Sequence, residues 1–142
     1  MKRSLVYRSS ALETFSEEDL DLLASKAGVK NHRLGITGYL YHNRGVFFQY
    51  LEGGTGELDE LMAAISSDER HKVEFVLNLE WTEQIFPKWS MRRLKSNEIR
   101  EVGMEMVLDS TIQTMAIEGS FTEKERTDMV HRLCRQIARL QS

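Results

Sequence analysis

A chain of 142 residues can bury a core without disulfide staples and is most simply one domain. Its 19 Lys and Arg against 22 Asp and Glu leave a net charge of −3, which argues against a dedicated nucleic-acid or anionic-membrane surface. The single cysteine, Cys134, cannot form an internal disulfide, no apolar run approaches the ~20 residues of a membrane span, and the N-terminus lacks a signal-peptide core, so a reducing cytoplasm is the expected setting.

Taken in order, residues 4–9 (Ser4 to Ser9) read as a first strand with Leu5 and Tyr7 on one face. Ser16 as cap, acidic residues after it, and Phe15 and Leu20 at staple spacing then open a helix. Its inner stripe is Leu20, Leu23, Ala24 and Ala27, with Gly28 near its end, and such small residues let a flat group approach the backbone. Asn31 is expected in the connection that follows, where asparagine ordinarily serves turn chemistry. Residues 35–53 form a hairpin, because two β-branched and aromatic runs flank Asn43-Arg44-Gly45. Alternation puts Phe47, Gln49 and Leu51 on one face and Val46, Phe48 and Tyr50 on the other; both faces are apolar, so Gln49 is expected to be buried. An unpaired buried amide costs roughly 1–3 kcal/mol, so Gln49 needs partners.

Beyond the hairpin, Gly53-Gly54-Thr55 breaks the strand and offers a cap, and Leu58, Leu61, Met62 and Ile65 stripe a second helix. The charged run Asp68-Glu69-Arg70-His71 reads either as a solvated loop or as a polar clamp for a ligand's oxygens, since arginine presents a rigid fork of donors. Residues 73–81 alternate like a fourth strand, and Phe86-Pro87-Lys88-Trp89-Ser90-Met91 turns into a fifth. The order strand, helix, strand, strand, helix, strand, strand predicts a ferredoxin-like α+β sandwich with both helices on one face. Residues 1–95 would form this domain and 96–142 a helical extension. The extension contains one helix from Asn97 to about Leu108 and another opened by a Thr122/Glu125 capping box. The latter is striped by Val130, Leu133, Ile137 and Leu140, a face that the free side of the sheet would bury.

Metal and nucleophile chemistry find little support. His32, His42, His71 and His131 lack ligand spacing, and Cys134 sits on an apolar stripe. A faint echo of the aromatic strand of RNA-recognition domains in residues 44–50 fails, because Phe47 and Gln49 break that pattern and the acidic balance lacks the electrostatic term.

Five stretches in order nevertheless resemble one family. Leu5-Val6-Tyr7-Arg8-Ser9, Asn31 with Gly35-Ile36-Thr37-Gly38, Phe48-Gln49-Tyr50-Leu51-Glu52-Gly53, Asp68-Glu69-Arg70-His71 and Phe86-Pro87-Lys88-Trp89-Ser90-Met91 are together similar to a BLUF domain over roughly residues 3–95. The resemblance implies a blue-light photoreceptor that holds oxidised flavin, FAD or less commonly FMN, between the two helices. Tyr7 would be the electron and proton donor, and Gln49 the amide bridging it to the flavin ring. Asn31 would bind the polar edge, Asp68, Arg70 and His71 would close round the flavin, and Trp89 and Met91 would be switch residues on the fifth strand. Lys30 and Ala27 depart from the family pattern, which often has asparagine and serine there. The implied output is a downstream signalling protein and a homo-oligomer, not an enzyme; a flavin-dependent redox enzyme with the same pocket is the alternative.

Overall fold

Period-two burial in the strands decides the layout of the computed structural model, which describes residues 1–43, 45–81, 83–87, 90–94 and 122–138. The elements are β1 (Lys2–Ala11), α1 (Glu17–Leu34), β2 (Thr37–Asn43), β3 (Val46–Gly54), α2 (Thr55–Ser66), β4 (His71–Leu79), β5 (Arg92–Leu94) and α3 (Glu123–Ala138). They build one sheet in the order β4-β1-β3-β2-β5. β1 runs antiparallel to both neighbours, and β5 joins β2 in parallel. This is the expected ferredoxin-like α+β arrangement.

Alternation divides the core into two layers. Leu5, Tyr7 and Leu51 pack with Leu58 and Leu61 of α2, while Leu40 and Phe47 pack with Leu20 and Ala24 of α1. On the opposite face, Val6, Tyr39, Tyr41, Phe48 and Tyr50 meet Val130, Leu133, Cys134 and Ile137 of α3. The amphipathic tail helix therefore covers the free side of the sheet, as its stripe requires. Its Thr122/Glu125 capping box is also formed, with each residue's backbone N–H donating to the other's side chain. Trp89, Leu140 and the helix expected over 97–108 lie outside the described residues.

Three expectations need correction. The first concerns α1, which opens on the Ser16/Asp19 capping box but runs through Gly28 to Leu34, so that Asn31 lies in its last turn and not in a connection. A glycine inside a helix costs only about 1 kcal/mol relative to alanine, which tertiary packing overrides. The actual stop is Gly35, whose φ of 70° gives the left-handed cap that glycine adopts without strain. Second, Thr55 does not cap α2: Gly54 occupies that position without a side-chain bond, and Thr55 is the first helical residue. Third, Met91 precedes β5, which begins at Arg92.

Register places the strands' side chains opposite one another. β1 and β3 pair without interruption from Lys2↔Gly54 to Ser10↔Val46, with Tyr7 opposite Gln49. On its other side β1 shifts register against β4 between Arg8 and Ser9. Because β4 and β5 occupy opposite edges, the connection between them must cross the whole sheet. Phe86 belongs to the cluster under α3, whereas Met91 packs with the clusters under α1 and α2.

Candidate functional site

Helical spacing brings Leu23, Ala27 and Asn31 onto one face of α1, and Leu61 and Ile65 present a facing edge of α2. Between them lies a slot of about 90 Å³, floored by Tyr7, Leu40, Phe47 and Gln49 and closed at one end by Asp68, Arg70 and His71. Tyr7, Asn31, Gln49, Asp68, Arg70 and His71, six residues singled out in the sequence, thus line one cavity. Ala27 lines it as well, so the serine-to-alanine departure falls inside the slot, while Lys30 is half-buried and is not among the lining residues.

At the floor, the Tyr7 hydroxyl donates to Gln49 Oε1. Gln49 Nε2 donates to Met91 Sδ at 3.4 Å, and a thioether can only accept, which fixes the orientation of the amide. Burial, followed by the charge of Asp68, raises the Tyr7 phenol well above its ordinary pKa, so it is a neutral O–H donor in the resting protein.

Asn31 is fully buried, and its Nδ2 donates to the Ser90 carbonyl at 3.0 Å. Its Oδ1 is buried without a hydrogen-bond partner. An acceptor left so costs roughly 1–3 kcal/mol, which a ligand N–H would recover. A flavin fits this requirement, since its flat ring suits an apolar slot between helices and its imide N–H supplies a donor.

Both ring nitrogens of His71 are engaged: a carbonyl oxygen accepts only, so Nε2–H donates to Ile65 O at 3.0 Å, and Nδ1 lies 2.7 Å from Ser9 Oγ. Arg70 forks onto Asp68, with Nη2 2.8 Å from Oδ2 and Nε 3.1 Å from Oδ1, and its guanidinium lies 5.7 Å from the Phe15 ring centroid. The side-chain bond from Arg70 chiefly holds the Asp68 carboxyl down at about 2. A pKa depressed on folding contributes stability that is present above the unfolded value near 3.9 and lost as pH falls through the folded one. Acid titration is therefore expected to loosen the slot's end between about pH 4 and pH 2, read as ligand release, and Asp68→Asn should remove that dependence. Identical release profiles in the two proteins would count against the pair.

Sequence reasoning did not single out Leu40, Phe47 or Phe15 for the slot. Strand parity with Gln49 was the available signal for Phe47.

The slot suits a flat ligand that carries an N–H donor, and comparison with known proteins says which class of protein has such a slot. The family model for BLUF, sensors of blue light using FAD, matches residues 3–92. BlrB, a BLUF protein solved in its dark state, superposes with a TM-score of 0.70 at 30% identity, covering 97% of this chain and 96% of that one. A bacterial light-regulated adenylyl cyclase gives a TM-score of 0.68 at 31% identity, over 82% of this chain and 35% of that one. Photoactivated adenylate cyclase subunit alpha of Euglena gracilis is 29% identical over 132 residues, 90% of this chain but 13% of that protein. The chain thus spans only a small part of the length of the curated relatives it matches.

The chain belongs to the BLUF family, sensors of blue light that use a flavin. Among the described residues, no helix is long and apolar enough to cross a membrane.

Proposed function

We propose that this photoreceptor works by switching the Tyr7–Gln49–Met91 hydrogen-bond chain, and that FAD rather than FMN is the flavin carried. The observation behind this reading is that the phenol, the amide and the thioether are bonded in series on the floor of the slot. A bound flavin supplies blue-light absorption and an excited state able to take an electron. With a flavin in the slot, Tyr7 would be the residue that gives an electron and its hydroxyl proton and takes both back afterwards. Gln49 has its donor and acceptor at one end of its side chain, so rotation exchanges their places without moving charge. In the resting arrangement Oε1 accepts the phenol's hydrogen bond; after rotation Nε2 faces the phenol oxygen, and the weak bond to Met91 Sδ is given up.

Asn31 holds the ring's polar edge through its free Oδ1, and Asp68, Arg70 and His71 hold the end of the slot. Ser90 and Met91, bonded to Asn31 and Gln49, carry the change towards β5 and the tail, with Trp89 assigned the same task by family resemblance. A downstream signalling protein reads the change in the cytoplasm, and a second copy of the chain assembles with the first. Such a reader must bind the two states with different affinity, because equal affinity shifts nothing.

The purified protein is expected to be yellow and to shift its flavin absorption reversibly to the red under blue light. Heat release followed by chromatography identifies the flavin as FAD or FMN. A folded, colourless protein that no flavin reconstitutes would reject the reading.

A further inference from the structure

The most heavily hydrogen-bonded carboxylate described lies on the face of the sheet away from the slot. Glu52 is only 1% exposed, and period-two alternation sets it on the same side as Phe48 and Tyr50. Its oxygens accept from Thr37 Oγ1 at 2.8 Å and from the Tyr50 hydroxyl at 3.1 Å. They also accept from two consecutive backbone N–H groups, Ile85 N at 2.8 Å and Phe86 N at 2.7 Å. A buried charge is tolerated only with such a set of donors, and the two backbone bonds are charge-assisted, among the strongest a loop can have.

What those bonds hold is the connection that crosses the sheet. Phe86, whose own N–H is part of the clamp, is fully buried edge-on against Tyr39 and Tyr50. Four residues further on, the Ser90 carbonyl accepts from Asn31 and Met91 Sδ accepts from Gln49. The same short segment is therefore bonded to the far face at one end and to the slot at the other.

We propose that Glu52 is a positioning residue for the photoswitch: by fixing residues 85 and 86, its carboxylate sets where Met91 Sδ stands against the Gln49 amide. Glu52 touches neither the slot nor Tyr7 and acts through the connection. This assignment rests on the reading of Gln49 as the switching amide.

The test uses the flavin-loaded full chain and times the dark recovery of the red-shifted state after a blue flash. Glu52→Gln replaces one acceptor oxygen by a donor, frees the segment, and is expected to slow recovery about tenfold, because the bond to Met91 Sδ that forms again on recovery is weakened. Glu52→Asp keeps the charge but falls one methylene short, and should slow recovery about threefold by the same reasoning. Both effects should shrink to within about twofold in a Met91→Ala background, because a group acting through Met91 has nothing left to position. A general loss of packing would change recovery equally in both backgrounds, and that result would overturn the proposal. So would unchanged recovery in the single variants, or failure of both to fold, which would make Glu52 a folding residue. Absence of any red shift in the unaltered chain would instead strike at the switching reading itself.

Discussion

Gln49→Leu is expected to retain flavin and lose the light-induced red shift completely. Leucine has similar bulk and the side chain is 95% buried, so the floor of the slot stays filled. What disappears is the group whose two ends can trade places: Tyr7 loses its acceptor and Met91 its donor. The buried phenol left without a partner costs about 1–3 kcal/mol, which a domain stable by 5–15 kcal/mol survives. Tyr7→Phe should give the same spectroscopic silence for a different reason, since the ring remains but the O–H that donates the proton is gone. The measurement is a light-minus-dark absorption spectrum on protein whose flavin content equals that of the unaltered chain. A full red shift in Gln49→Leu would transfer the switch to another group.

Phe86→Ala should produce the largest loss of stability, about 3–5 kcal/mol, by deleting a buried ring from a site that cannot collapse. The ring meets Tyr39 and Tyr50 edge-on, with centroids 5.4 and 5.6 Å away, and no part of it reaches solvent. Tyr39 and Tyr50 are themselves stacked at 6.0 Å, so removing Phe86 opens an aromatic layer between the sheet and α3. Urea unfolding followed by far-ultraviolet circular dichroism, with flavin saturating, reads the change. Val76→Ala provides the contrast: Val76 is 39% exposed, and the change should cost under about 1 kcal/mol. Equal losses in the two variants would show that the aromatic layer is not where the stability lies.

The hairpin was legible because alternation is a strong signal when both faces are apolar: the burial of Gln49 followed from the identity of its neighbours. The cap at Ser16 and the capping box at Thr122 were legible for a similar reason, since such local bonds need only the right residue types at short spacing. Asn31 was misplaced because Gly28 looked like a helix end, and the preference of glycine for ends is a modest one that packing under α1 outweighs. The positive-φ requirement at Gly35 was the stronger signal, visible only once the chain's reversal into β2 was known. Glu52 stood in one of the matching stretches but was assigned no role. Beside Gly53 at a strand's end it reads as solvent-facing, and two of its donors are main-chain N–H groups from residues 85 and 86, which no pattern of side chains records. Parity with Phe48 and Tyr50, combined with a tail helix needing a surface, was the clue on offer.

The unbroken pairing of β1 with β3 gives the photochemical pair a tolerance of a particular kind. Tyr7 meets Gln49 because each holds a given ordinal place on its strand, and residues directly opposite in an antiparallel pair stand about 5 Å apart at Cβ. A slip of one place would send the phenol or the amide to the other side of the sheet, so the encounter has two outcomes, made or absent, with no graded approach between them. The irregularity after Arg8 is absorbed wholly on the β4 side, leaving the count towards β3 intact. Breathing of α1 and α2 can widen or narrow the slot continuously, whereas the meeting of donor and amide is quantised by the ladder beneath them.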